Sequence, residues 1–283
     1  MGDYRECRFL SQDGRSLYYR DYGDPLSAAA PVLCLPGLTR NSKDFHRLAS
    51  RLAVTRRVVC PDYRGRGRSD YDSDPTKYHP AVHLNDTRHL LAVTGLHAAI
   101  VIGTSFGGLL AMGMAVVMPS ALRAVILNDV GPEVAKQGLG RIMDYIGKDS
   151  PQPDWDAAIA ALKRMFPAHA RDTREALMEE ARATWREGDD GMLHFDWDTR
   201  LAETVAKASG ETDPWQLFRG LCGFPVLALR GGLSDVLSAE TLDRMARSHP
   251  GLTAITIPGS GHPLTLNEPA VTEALDEFLA RFG

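Results

Sequence analysis

The sequence predicts an α/β protein: a mostly parallel sheet with helices on both faces, interrupted once by a helical insertion. Three observations predict it. Short apolar runs alternate with helix-spaced segments through the first 130 residues and again from about residue 224 to the end, the pattern of β-α-β units with crossovers. The strand-like runs are continuously apolar rather than alternating, as strands covered on both faces must be. The interval of about 90 residues between them is far longer than one crossover helix needs and is rich in helical stretches.

The elements follow in order. Residues 5–10 and 16–22 flank Asp13-Gly14 and read as a hairpin. Residues 31–35 form a strand, 42–53 a helix and 57–60 a strand. Beyond a loop at 62–77, residues 81–94 have helical spacing. Residues 98–102 form a strand, and the helix that follows ends before Pro119, which disfavours helical backbone in the residue preceding it. A further strand occupies 123–128. In the insertion, helices are expected at 139–146, 155–165, 173–186 and 201–208, punctuated by Pro151, Pro153, Pro167 and the Gly188-Asp189-Asp190-Gly191 turn. The alternation resumes with a strand at 225–229, a helix at 238–248 and a strand at 252–257. A closing helix carries Val271, Leu275, Phe278, Leu279 and Phe282 on one face. The core is therefore expected from residues 1–130 and 224–283, with residues 131–223 as a helical cap.

Within this frame the most informative stretch is Gly103-Thr104-Ser105-Phe106-Gly107. It lies between an apolar strand and a helix, the setting in which Gly-x-Ser-x-Gly forms a nucleophile elbow. The residues two before and two after the serine approach so closely that side chains would clash, which gives Gly103 and Gly107 a steric reason. The helix opens at the nucleophile, so its N–H groups face developing negative charge.

A nucleophilic serine needs a base and a group that orients the base. The best base is His262, in Gly259-Ser260-Gly261-His262-Pro263 just after a strand. The best orienting acid is Asp235, after the strand at 225–229, which gives the order Ser, Asp, His. Asp129 also follows a strand and is the alternative acid. An oxyanion hole needs two donors: the N–H of Phe106, and that of Leu38 in Pro36-Gly37-Leu38-Thr39, since Pro36 has none. In parallel sheets ligands bind at the carboxyl ends of the strands, and that rule brings Ser105, Asp235, His262, Leu38 and Asp129 to one edge.

Composition bounds the alternatives. The chain has 283 residues, 44% hydrophobic and 24% charged, with a formal charge of −4. That is ordinary for a globular protein and argues against nucleic acid as a partner. The basic run Arg64-Gly65-Arg66-Gly67-Arg68 reads as a solvated loop. The polar start, Met1-Gly2-Asp3-Tyr4, lacks an apolar signal segment, and no stretch is apolar enough to span a membrane, so a cytoplasmic location is expected. Cys7, Cys34, Cys60 and Cys222 form no metal pattern, Cys34 and Cys60 sitting in strands as buried thiols. No cofactor or metal is expected, and the partner is a small-molecule substrate.

The chain resembles the α/β-hydrolase superfamily, and within it the capped members related to small esterases, lactonases, dehalogenases and epoxide hydrolases. The residues that carry the resemblance are Gly103-Thr104-Ser105-Phe106-Gly107-Gly108, the loop Asp62-Tyr63-Arg64-Gly65-Arg66-Gly67-Arg68-Ser69, Asp235 after its strand, and Ser260-Gly261-His262. It implies Ser105 as nucleophile, His262 as base, Asp235 as acid and Leu38 and Phe106 as oxyanion donors. One departure is Pro36-Gly37 where many relatives have His-Gly. Serine at 105 argues against dehalogenase or epoxide hydrolase chemistry, which in relatives uses a carboxylate nucleophile. The expected activity is hydrolysis of a small ester or lactone. Cleavage of C–C bonds, amides or peracids by the same triad, and a non-catalytic receptor role, are the competing readings. The cap supplies Trp155, Met165, Phe166, Trp185, Phe195 and Trp197, some expected to line an apolar pocket and most to pack the cap.

Overall fold

A computed structural model describes residues 4–166, 173–207 and 213–283. The expectations that fall on residues 1–3, on Pro167 and on residue 208 lie outside the described residues.

The chain opens with the hairpin β1 (Tyr4–Leu10) and β2 (Ser16–Tyr22), followed by β3 (Val32–Leu35), α1 (His46–Leu52) and β4 (Val58–Pro61). Then come α2 (Pro80–Thr94), β5 (Ala99–Thr104), α3 (Phe106–Val117) and β6 (Leu122–Asn128). The segment up to residue 223 contains α4 (Lys136–Ile146), α5 (Trp155–Met165), α6 (Arg174–Thr184), the strands β7 (Trp185–Glu187) and β8 (Leu193–Phe195), α7 (Leu201–Lys207) and α8 (Pro214–Arg219). The core is completed by β9 (Val226–Gly231), α9 (Ala239–Ser248), β10 (Leu252–Ile257) and α10 (Pro269–Ala280).

Eight strands form one sheet in the order β1-β2-β4-β3-β5-β6-β9-β10. The β1–β2 and β2–β4 pairs are antiparallel and the rest parallel. The apolar strands split residue by residue between the two faces, because successive side chains point to opposite sides. Leu33, Leu35, Val101, Val125 and Leu127 pack on one side against α2, α3 and α9 residues such as Leu90, Leu110 and Met245. Val32, Cys34, Ile100, Ile102 and Ile126 pack on the other against α1 and α10, where Leu48, Val271, Leu275 and Phe278 lie. Full burial of each such aliphatic side chain contributes about 1.5–3 kcal/mol.

Between β6 and β9 the chain builds a core of its own, in which Ile159, Leu162, Leu177, Trp185, Leu193, Phe195 and Trp197 are buried together. Here the structure departs from the expected helix at 173–186. That helix ends at Thr184, and Trp185 opens a two-stranded hairpin with β8. Thr184 and Trp185 are fully buried or nearly so. The hairpin lets Trp185 pack on Phe195, which in turn stacks on Trp197 at 3.9 Å. Long-range packing outweighs the helical spacing there.

The basic loop at 64–68 also differs from expectation: it is not a solvated loop. Arg64 is 1% and Arg66 0% exposed. Asp13, Asp72 and Asp86 neutralise Arg64, and only Arg68 reaches outward, to Glu6. A buried charge requires partners, and these carboxylates are scattered too widely in sequence to be foreseen. No helix among the described residues is long and apolar enough to cross a membrane.

Candidate active site

The carboxyl ends of the central parallel strands, flanked by α3, α4 and the loop before α10, carry the site. Ser105 follows β5 with φ 50° and ψ −116°, a backbone conformation that L-residues avoid unless the surroundings enforce it. The enforcement is visible. Its N–H donates to the Asn128 carbonyl at 3.1 Å, and the turn into α3 closes without side chains on either flank. A Cβ on Gly103 would sit 2.5 Å from the Gly107 carbonyl oxygen, and one on Gly107 would sit 2.0 Å from that of Leu35.

The loop after β10 brings His262 to Ser105. Its Nε2 lies 3.1 Å from Ser105 Oγ, and its Nδ1 lies 2.8 Å from Asp129 Oδ2. A carboxylate only accepts, so Nδ1 carries the proton that Asp129 takes, and Nε2 is left to accept from the serine hydroxyl. His262 is 7% and Asp129 0% exposed. Asp129 is held on all sides: Oδ1 accepts from the Gly231 N–H at 2.8 Å, and Oδ2 also accepts from Ser234 Oγ at 2.7 Å.

This corrects the reading of Asp235 as the partner of His262. Asp129 follows β6 immediately, and β6 is the strand next to the one that carries Ser105. Asp235 stands one strand further out and four residues beyond the end of β9. Its carboxylate is turned toward the insertion, where Arg141 of α4 binds it with Nε at 2.6 Å and a second nitrogen at 2.8 Å. Burial raises the Asp235 pKa, but the Arg141 guanidinium outweighs that and leaves the carboxyl below its ordinary value.

Leu38 and Ser105 line one cavity of about 60 Å³, together with Arg40, Tyr145, Phe166 and His262. A Cβ on Gly37 would come within 3.9 Å of Ser105 Cβ, so the loop after β3 borders the nucleophile closely. Phe106 begins α3, and its N–H belongs to the helix turn whose donors have no intrahelical partner. Of the aromatic residues singled out in the insertion, Phe166 lines the cavity, whereas Trp185, Phe195 and Trp197 pack the insertion itself. Tyr145, whose hydroxyl burial pushes above its ordinary pKa, and Ile142 complete the wall from α4. Inside the cavity Arg40 is neutralised by Asp44, with contacts at 2.8 and 2.6 Å.

The chain is similar to a known family over most of its length. Its profile, described as the alpha/beta hydrolase family, matches residues 32–275. The chain belongs to the alpha/beta hydrolase family. A crystal structure of an alpha/beta hydrolase from Novosphingobium aromaticivorans superposes with a TM-score of 0.92 at 42% identity, covering 99% of each chain. A 3-hydroxybutyrate-oligomer hydrolase of Cupriavidus necator is 34% identical over 92% of this chain and 91% of its own length. A 2-(acetamidomethylene)succinate hydrolase of Mesorhizobium japonicum is 26% identical over 88% of this chain and 87% of its own.

Proposed function

We propose that this alpha/beta hydrolase cleaves small carboxylic esters through an acyl-enzyme formed on Ser105. The observation that carries the reading is the continuous contact from Ser105 Oγ through His262 to Asp129. In the proposed first half-reaction Ser105 Oγ forms a bond to the ester carbonyl carbon and gives its proton to His262 Nε2. Asp129 holds the ring and stabilises the imidazolium. The oxyanion is taken by the N–H groups of Leu38 and Phe106. The carbon–oxygen bond to the alcohol then breaks, and His262 returns the proton to the leaving oxygen. In the second half-reaction His262 takes a proton from water, the hydroxide attacks the acyl carbon, and Ser105 leaves reprotonated. Losing one oxyanion donor costs such a reaction roughly 10² to 10³ in rate.

Residues 131–223 act in this reading as a cap that shapes the acyl site through Ile142, Tyr145 and Phe166. A cavity of about 60 Å³ lies well below the volume of a drug-sized ligand site, which favours a short acyl chain over a long one. Short oligoesters of a 3-hydroxy acid are the favoured substrate class, on the strength of the Cupriavidus necator relative. The test is steady-state hydrolysis across p-nitrophenyl acetate to octanoate, a lactone, a 3-hydroxybutyrate dimer and an N-acyl amide, with Ser105→Ala as control. Turnover of the short esters or the dimer that vanishes in Ser105→Ala supports the reading. Faster cleavage of the amide overturns the ester assignment, and full activity in Ser105→Ala overturns the nucleophile.

A further inference from the structure

Tyr63 and Arg66, in the loop between β4 and α2, converge on the backbone of the Pro36–Leu38 turn. Tyr63 Oη donates to the Pro36 carbonyl at 3.2 Å, and Arg66 Nε donates to the Leu38 carbonyl at 2.8 Å. These carbonyls belong to the peptides on either side of the Gly37–Leu38 peptide. Each peptide is planar. Fixing the planes on both sides restricts the rotation of the one between them, whose N–H is the oxyanion donor of the proposed mechanism. We propose that Tyr63 and Arg66 are positioning residues that aim the Leu38 N–H at the oxyanion. The inference rests on the acyl-enzyme reading.

Both side chains are themselves rigidly held. Tyr63 is 4% and Arg66 0% exposed. One terminal nitrogen of Arg66 donates to the Arg64 carbonyl at 2.7 Å and lies 3.2 Å from His83 Nε2. His83 therefore accepts there as neutral imidazole. Burial, reinforced by Arg66 and Arg64, keeps its pKa well below the ordinary value. The same cluster reaches the second oxyanion donor. The Phe106 ring meets Tyr63 and His83 edge-on at 5.8 and 5.6 Å, geometry that aromatic rings favour. The loop is anchored in turn by Asp62, which accepts from the N–H groups of Ser42 and Arg68 at 2.7 and 2.9 Å, and by the insertion, where the Asp198 N–H donates to the Gly65 carbonyl at 2.8 Å.

A buried cation that pairs with no carboxylate among the described residues is a costly way to hold a turn. Arg66 leaves one nitrogen with no partner among the described residues, and burial pulls its pKa down to about 10. A leucine or methionine would fill the space at less cost but could not donate to Leu38. The donor at this position answers a need of the turn rather than of the core.

The test uses the full-length protein with Tyr63→Phe, which removes one hydroxyl and keeps the ring, and Arg66→Lys, which keeps the charge and loses the planar fork. Three quantities are read for each variant: kcat/KM on p-nitrophenyl acetate, Ki for a trifluoromethyl ketone that forms a tetrahedral adduct, and Ki for the product acid. Misaiming a reactive group costs up to about 10²-fold. We expect kcat/KM and trifluoromethyl ketone affinity to fall together by about ten-fold, on that scale, with product affinity unchanged. A merely structural role would lower Tm and leave the ratio of the two inhibition constants at its wild-type value. That result in either soluble variant overturns the inference. Labelling of the wild type by a fluorophosphonate separates the two levels: if Ser105 is labelled and the variants keep wild-type ratios, the positioning role alone falls. If the wild type is neither labelled nor active, the acyl-enzyme reading falls and takes this inference with it.

Discussion

Replacing Asp129 by asparagine should nearly abolish turnover without unfolding the protein. The carboxylate makes three contacts, to the Gly231 N–H, Ser234 Oγ and His262 Nδ1, all between 2.7 and 2.8 Å. The amide of asparagine has nearly the same shape, so its oxygen keeps the Gly231 contact. Its NH₂ then occupies the Oδ2 position and donates where the carboxylate accepted. His262 must answer by accepting at Nδ1, which moves its proton to Nε2. An Nε2–H faces Ser105 Oγ at 3.1 Å and can no longer take a proton from it. In serine proteases this tautomer reversal lowers kcat about 10⁴-fold, equivalent to roughly 5.4 kcal/mol of transition-state stabilisation. The assay is steady-state hydrolysis of p-nitrophenyl acetate with Tm recorded on the same samples. Asp235→Asn serves as the comparison, because that carboxylate binds Arg141 instead of the imidazole. Activity of Asp129→Asn within ten-fold of wild type, or a larger loss in Asp235→Asn, would refute the reasoning.

Three further outcomes follow from the geometry. Gly107→Ala places a methyl group 2.0 Å from the Leu35 carbonyl oxygen, against backbone that cannot yield. It should cost about 3 kcal/mol or more, and a denaturation midpoint equal to wild type would contradict the elbow packing. Arg141→Met and Asp235→Asn should each lower Tm, and the double mutant should reveal a coupling of about 1 kcal/mol for a pair about one-fifth exposed, measured by denaturant unfolding as a double-mutant cycle. Additive effects would mean that the bridge does not join the insertion to the β9 loop energetically. His83 is held neutral by burial, so the unfolded chain binds a proton there that the native state refuses. Wild-type stability should therefore fall as pH drops below about 6.5, the free-histidine value. The fall between pH 7.5 and 5 should be shallower in His83→Gln. Equal slopes would show that His83 is protonated without penalty in the native state.

Much of the fold was legible because its signals are local. The strands β3, β5 and β6 are apolar from end to end, and the alternation with α2 and α3 leaves a parallel sheet as the economical arrangement. The elbow was readable for the same reason, since Gly103, Ser105 and Gly107 sit within one turn. The acid was not. Both Asp129 and Asp235 follow strands, and what separates them is a cross-chain fact: Arg141, in the insertion, claims Asp235, while Ser234 and the Gly231 amide prepare a place for Asp129. The nearest sequence signal was the position of Asp129 directly after its strand. The basic loop misled for a related reason. The arginines at 64 and 66 look solvated until Asp13, Asp72, Asp86 and the Leu38 carbonyl are folded onto them. The β7–β8 hairpin escaped because residues 173–186 carry helical spacing, whereas the pairing of Trp185 with Phe195 across the hairpin is a longer-range contact that the spacing does not carry.

The most direct measurement is a rapid-mixing experiment with p-nitrophenyl acetate in excess, followed by peptide mass mapping of the quenched protein. A nucleophilic Ser105 predicts a burst of p-nitrophenol approaching one equivalent per chain, or turnover without a burst if deacylation is fast. Where a burst appears, acid quench of the wild-type reaction should leave an acetyl group on the peptide containing Ser105; where deacylation is fast, p-nitrophenyl trimethylacetate, whose hindered acyl group slows deacylation, should leave its acyl group there. An acetyl group recovered on a different residue, with Ser105 unmodified while turnover proceeds, would contradict the account.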